Sequence, residues 1–231
     1  MAIELYDLAG AEDDRRFSPY CWRAKLALAH KGLDYRSIPW RFTEKDAIGF
    51  SGQGRVPVMV DHGRTVFDSW TIAEYLEDTY PDRPSLFGGT SGRALARFAA
   101  NWADAVLQPG IVRLIIADVH AHLHPKDQGY FRSSREERFG AALEAVQADR
   151  QARVAAFRQS LAPLRLTVQA QAFLGGTAPA YADYAVFGGF QWARCISSFP
   201  LLAADDPVFA WRGRLLGAFD GLAGKARGYA A

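Results

Sequence analysis

The chain has 231 residues, with 49% hydrophobic and 23% charged, a balance that permits a packed core, excludes disorder and fits one large domain or two small ones. The 27 Lys and Arg against 25 Asp and Glu leave a net charge of +2, too small a surplus for a nucleic-acid partner. No apolar run approaches the roughly 20 residues a membrane span needs, and MAIELYDLAG at the start lacks the basic and apolar regions of a secretory signal.

In chain order, IELYDL (Ile3 to Leu8) alternates β-formers with polar residues and predicts a strand. Pro19 to Lys31 predicts a helix, Tyr35 to Ile38 a short strand, and VPVMV (Val56 to Val60) a buried strand. Asp61 to Arg64 (DHGR) reads as a hairpin turn into Thr65 to Phe67, and Trp70 to Thr79 as a second helix. The order β-α-β-β-β-α is a small α/β layer structure. Prolines and glycines in YPDRPSLFGGTSG (Tyr80 to Gly92) mark a linker. Helical patterns follow at Arg93 to Val119, Ser133 to Ser160, Leu164 to Phe173, Ala182 to Arg194 and Pro207 to Leu216. The second of these carries Phe139, Leu143, Val146 and Phe157 near one stripe. The expected division is 1–82 for the α/β domain, 83–92 for the linker and 93–231 for an all-helical domain.

Chemistry concentrates at three places. In FSPYCWRAKLALAHKG, Ser18 is a good N-cap, Pro19 suits the first helical position, and Gly32 supplies the stop. An ordinary capped helix explains these residues. Ser18 also falls at the carboxyl end of the first strand, the ligand edge of an open α/β sheet, where a hydroxyl beside free N–H groups suits an anion. Pro57 within an apolar run fits best as the start of the strand, after a sharp turn through a cis Val56–Pro57 bond. That turn leaves the Val56 N–H and C=O free to dock an extended peptide. Asp68-Ser69 opens the second helix, as a cap or as a nest for a carboxylate with Asp68 free for an ammonium. Carboxylate and ammonium together describe an α-amino acid.

The ordered set SPYxWR and HKG, then RVPV, DSW and IAEYL, resembles the thioredoxin-like N-terminal domain of cytosolic glutathione transferases. Within that family it is most similar to the bacterial β-etherase-type enzymes of lignin breakdown and related fungal transferases. The likeness covers roughly the first 85 residues and resumes at FLGGTAPAYADYAVFGGFQWA (Phe173 to Ala193). It implies the glutathione transferase fold, a thioredoxin-like α/β domain followed by an all-α domain, and a homodimer. It also implies glutathione as co-substrate, with no metal. Val56 ahead of Pro57 would hold the cysteinyl backbone, Asp68 and Ser69 the γ-glutamyl end, and Ser18 the sulfur. Gln53, Arg55, Lys45 and Arg41 are candidates for the glycyl carboxylate. A thiol of pKa ~8.5 lowered by about two units needs roughly 2.7 kcal/mol, within reach of one hydrogen bond to a charged group at ~1.5–3 kcal/mol. The thiolate would attack a hydrophobic electrophile held between the domains, in the narrower reading a β-aryl ether.

Other features have simpler readings. Cys21 stands three residues after Ser18 with no partner cysteine, so a buried thiol is expected rather than a disulfide cycle. The two cysteines, Cys21 and Cys195, fit a reducing compartment, and cytoplasm is the default. Tyr6 is the runner-up thiol activator. Ala180 stands where the family's second-domain capping box has Ser or Thr, with Asp183 following. In VHAHLHP, His120 and His124 are expected on one helical face and His122 on another, without a third metal ligand. The arginines from Arg132 to Arg158 read as a solvated face. Phe17, Trp40, Phe42 and Trp102 suit either an aryl pocket or a core. The rival functions are a non-catalytic glutathione or ligand carrier and a Cys21-dependent thiol oxidoreductase.

Overall fold

The structure, a computed structural model, describes residues 3–230. Met1, Ala2 and Ala231, the outer ends of the two expected domains, lie outside the described residues. Strand β1 (Ile3–Leu8), helix α1 (Pro19–His30), β2 (Tyr35–Trp40), β3 (Val58–Asp61), β4 (Arg64–Phe67) and α2 (Ser69–Thr79) follow the expected order. The four strands lie β2-β1-β3-β4, with β1 parallel to β2 and antiparallel to β3, and β3 antiparallel to β4. A parallel pair needs a crossover, and α1 supplies it between β1 and β2. Strand β2 runs on to Trp40, past the expected Ile38, because Pro39 and Trp40 still face Asp7 and Leu8. An edge strand tolerates that proline. Val56–Pro57 is cis, and β3 begins immediately after it at Val58, two residues later than expected. His62 and Gly63 both take positive φ in the β3–β4 turn, the backbone of a two-residue hairpin loop.

Helix α1 is buried on nearly every side, including Trp22, Leu26 and Leu28. It packs extensively against a later helix, α9 (Tyr181–Ile196). A helix in that position has no polar stripe, so its charged residues need partners. Arg23 donates to the Ala185 carbonyl and pairs with Asp104 at 2.6 Å, and Lys25 pairs with the wholly buried Asp7 at 3.1 Å. At its end, Gly32 at φ 62° lets the Gly32 and Leu33 amides return to the Ala29 and Leu28 carbonyls, a Schellman stop.

The second half is helical: α3 (Thr90–Trp102), α4 (Gln108–Ala121), α5 (Pro125–Phe139), α6 (Leu143–Gln147), α7 (Arg150–Ser160), α8 (Ala162–Ala170), α9 (Tyr181–Ile196) and α10 (Pro207–Gly221). A π-helical turn at Ala103–Leu107 joins α3 to α4, in place of one uniform helix. The helix expected over Ser133 to Ser160 is three pieces. Gly140 and Asp149 take φ of 66° and 54°, which no helix accommodates. Its apolar stripe survives the breaks, with Leu143, Val146 and Phe157 buried. No described helix is long and apolar enough to cross a membrane.

Helix α9 is the axis of the helical half, with Tyr181, Tyr184, Phe187 and Phe190 buried and Trp211 of α10 set edge-on against both phenylalanines. Ala180 gives no capping hydroxyl, but Asp183 compensates. Its carboxylate accepts N–H bonds from Leu174, Gly175, Ala180 and the Trp211 indole at 2.7–3.0 Å.

Candidate functional site

Strand register brings the predicted residues to one edge of the sheet. Tyr6 lies opposite Val58, and Val58 opposite Phe67. The residues just before β3 (Val56, Pro57) and just after β4 (Asp68, Ser69) are therefore neighbours. They lie beside the end of β1, whose loop leads to Ser18. The Ser18 side chain is almost wholly buried and caps α1, its Oγ accepting the Cys21 N–H at 3.2 Å. A hydroxyl has one hydrogen to donate, and accepting from the Cys21 N–H fixes the oxygen while leaving that hydrogen to turn either toward the Cys21 sulfur, which is within reach, or into the cavity. Ser18, Val56, Lys45 and Arg55 line the same cavity. Among the described residues, no protein group takes up the Val56 N–H or C=O.

Asp68 caps α2 through Oδ1, which accepts from the Trp70 and Thr71 amides at 2.9 and 3.1 Å. It holds φ at 69°, a left-handed conformation that few residues other than glycine adopt. Ser69 is buried, and its carbonyl accepts the Tyr181 hydroxyl at 2.8 Å. Neither Asp68 nor Ser69 lines the cavity itself; they stand at its sheet-edge flank.

The four candidates for the glycyl carboxylate separate. Arg41 is committed elsewhere, donating to the Gly10 carbonyl and pairing with Asp13 at 2.6 Å. Gln53 donates to the Arg55 carbonyl and does not line the cavity. Lys45 and Arg55 do line it, and both are exposed.

Cys21 is fully buried. Burial pushes its thiol well above the ordinary value, with the Asp7 charge acting in the same direction. Such a thiol is a poor nucleophile. Tyr6 packs against Phe50 and is not among the cavity's lining residues.

The cavity, about 630 Å³, opens between the sheet edge and helices α4 and α5. Phe17, Trp40 and Phe42 line it, joined by Tyr130, Phe131 and Trp192, whereas Trp102 does not. Phe42 is held there by Asp127 of α5, whose carboxylate accepts the Phe42 and Thr43 amides at 2.8 and 3.0 Å. The histidine motif serves the same region as a corner. Helix α4 ends at Ala121, and His124 caps α5 by accepting the Lys126 amide, so His120 and His124 do not share a helical face. His122 meets the Tyr229 hydroxyl at 3.0 Å.

The arginine series is a solvated face only in part. Arg132 pairs with Glu136 and Glu144, and Arg150 with Asp118. Arg135 and Arg138 line the cavity. The sequence also gave no notice of Tyr181 as the support of Ser69, or of Gly188. A Cβ at Gly188 would lie 2.4 Å from the Pro19 carbonyl oxygen, so only glycine lets α9 approach the start of α1 this closely. These residues act across more than 100 positions of chain, and no local pattern marks them.

Comparison with known proteins gives the family and the fold. Residues 17–79 match the description "Glutathione S-transferase, N-terminal domain", and residues 94–199 match "Glutathione S-transferase, C-terminal domain". Similar proteins include the maleylacetoacetate isomerase of Pseudomonas aeruginosa, 33% identical over 43% of this chain and 45% of that one. A zeta-class glutathione S-transferase of Euphorbia esula is 32% identical over 38% of this chain and 41% of that one. The chain thus aligns with less than half the length of these curated relatives. Similar structures extend further. A glutathione S-transferase of Ceriporiopsis subvermispora, solved in complex with glutathione, superposes with a TM-score of 0.79 over 95% of this chain and 97% of that one, at 23% identity. A glutathione transferase of Phanerochaete chrysosporium gives 0.77 over 96% and 92%, at 26% identity. With both domains matched in order over most of its length, and with a thioredoxin-like sheet joined to an all-helical half, the chain belongs to the glutathione transferase family.

Proposed function

We propose that the protein is a glutathione transferase in which Ser18 holds the glutathione sulfur as a thiolate. The observation that carries this reading is the capped Ser18 hydroxyl, its hydrogen able to turn into the cavity that the unpaired backbone of Val56 shares. Glutathione would lie as an added strand against Val56, next to Pro57. Its γ-glutamyl end would reach Asp68 and Ser69, and its glycyl carboxylate Lys45 or Arg55. The Gln53 carboxamide is a weaker contributor, because it is turned to its own chain. A hydrogen bond to the sulfur anion contributes about 1.5–3 kcal/mol and the helix N-terminus about 0.3–1 more. Together they cover the roughly 2.7 kcal/mol of a two-unit shift.

The aromatic lining supports an aryl electrophile. In the narrower reading the thiolate attacks the carbon that lies α to a ketone and carries an aryloxy group. The carbon–sulfur bond forms as the carbon–oxygen bond breaks, and the phenolate departs with the electron pair. That reading rests on the resemblance of SPYCWRAKLALAHKG and DSWTIAEYL. The name of the Pseudomonas relative favours a second reading, glutathione-dependent isomerisation, in which the thiolate adds reversibly and glutathione is regenerated. Free buried thiols at Cys21 and Cys195 support a reducing, cytoplasmic setting. The exposed Leu95 and Phe98 of α3 and Phe67 of β4 support a homodimer.

Calorimetry with glutathione, followed by ultraviolet titration of the bound sulfur, tests the central step. Uptake with a sulfur pKa near 6.5, about two units below the free thiol, is expected. No uptake, or a bound sulfur still protonated at neutrality, removes the proposal. A fluorogenic β-aryl ether ketone then separates the readings: release of phenol with loss of glutathione supports ether cleavage. Turnover of a simple aryl halide without phenol release rejects it.

A further inference from the structure

The charges lining the cavity are lopsided. The lining cations are Lys45, Arg55, Arg135 and Arg138, and the one lining carboxylate, Asp104, is taken by Arg23 at 2.6 Å. None of the four cations has a carboxylate partner among the described residues, although Arg132 on the same helix pairs with Glu136 and Glu144. Arg135 is the most enclosed of the four, and it is half-buried. Its guanidinium lies over the Phe131 ring at 4.7 Å and near Phe42 at 5.4 Å. Among the described residues it donates to the neighbouring Ser134 hydroxyl at 2.9 Å and lies within reach of the Tyr130 hydroxyl, and neither is a carboxylate. Burial lowers its proton affinity from the ordinary value, the Tyr130 hydroxyl opposes that shift, and the charges of Arg138 and Arg55 add to it, so the three cations feel one another.

A guanidinium stays charged in a protein, and holding one half-buried without a counter-ion is costly. The planar fork, stacked on aromatic rings with donors unused, has the geometry of a bidentate carboxylate site. Glutathione brings one glycyl carboxylate, which the exposed Lys45 or Arg55 can meet beside Val56. Arg135, on α5 among the aromatic residues, is left over.

We infer that the electrophile is an aryl acid, its ring against Phe42 and Phe131 and its carboxylate on Arg135. This rests on the transferase reading above and adds the substrate class. With a ring-chlorinated aryl acid the reaction balances as an aromatic substitution: the glutathione sulfur bonds to the ring carbon that carries chlorine, chloride leaves with the electron pair, and the thiol proton has already gone to solvent.

Two measurements on the full chain test it. Calorimetry without glutathione compares naphthalene-2-carboxylate with naphthalene-2-carboxamide. The acid is expected to bind about tenfold more tightly, a difference of about 1.4 kcal/mol. Arg135→Met should bring the ratio near one, and Arg135→Lys should keep part of it. Kinetics then compare 4-chloro-3,5-dinitrobenzoate with its methyl ester, each divided by its uncatalysed rate. The wild type should favour the acid about tenfold, and Arg135→Met should erase the preference. Equal binding of acid and amide by the wild-type protein overturns the inference. So does a loss in Arg135→Met that falls on glutathione affinity and leaves the acid preference intact. If instead the acid preference stands in calorimetry but glutathione is not taken up, the cavity binds aryl acids and the transferase reading fails alone.

Discussion

The two walls of the cavity are made in different ways. On the sheet side, Ser18 and Val56, flanked by Asp68 and Ser69 outside the lining, present caps and backbone groups, each placed by a strand end and the turn beside it. On the helical side, Phe131, Arg135 and Trp192 act through side chains from helices whose spacing depends on packing. A wall of backbone and caps tolerates little variation, because its hydrogen-bonding groups are fixed by register. A wall of side chains can change with the substrate while the fold stays. In the proposed function, the first wall binds the common reactant and the second chooses the electrophile.

That division can be broken experimentally. The largest effect is expected for Ser18→Ala, which removes the hydrogen bond to the thiolate. A loss of about 1.5–3 kcal/mol lowers kcat/KM at neutral pH by roughly 10- to 100-fold and returns the sulfur pKa toward ~8.5. If the rate holds while the melting temperature falls, Ser18 is a cap and nothing more. Gly188→Ala probes the seam between the walls. The added methyl meets the Pro19 carbonyl at 2.4 Å, and neither backbone can yield cheaply. A destabilisation of about 1–3 kcal/mol is expected, seen as a drop of roughly 2–10 °C in Tm. A rise in the sulfur pKa should accompany it, since Ser18 adjoins Pro19. An unchanged Tm would show that the two helices are free to part.

The smallest effect belongs to the thiols. Burial holds Cys21 well above its usual value and pushes Cys195 up to about 12, so thiolate is scarce at any pH the fold survives. An aromatic disulfide reagent should find no reactive thiol in the folded protein at pH 8 and both after denaturation. Rapid labelling of Cys21 in the native state would revive the oxidoreductase reading.

Much of the sheet-side wall was legible in the sequence because its signals are local. Ser18, Pro19 and Gly32 mark one helix, Val56–Pro57 one strand entry, and Asp68-Ser69 a second helix start. Each signal is carried by residues within a few positions of the group it places. The single helix expected over Ser133 to Ser160 shows the limit of such reading. Its apolar stripe was correct, yet Gly140 and Asp149 divide it, and periodicity alone cannot distinguish one helix from three that share a core. The arginines illustrate the same limit, as Arg132 and Arg135 look alike in sequence. Only packing turned one to glutamates and the other over aromatic rings.

By itself, then, the sequence determined the element order of the α/β half, the caps at Ser18 and Asp68 and the sheet edge where Ser18 and Val56 meet, since these follow from backbone preferences of neighbouring residues. The tertiary structure decided which side chains face the cavity, how closely α9 approaches α1 through Gly188, and where charge is left unpaired. Those properties depend on contacts between residues far apart in the chain, and such contacts exist only once the core has excluded water and fixed the helices against one another.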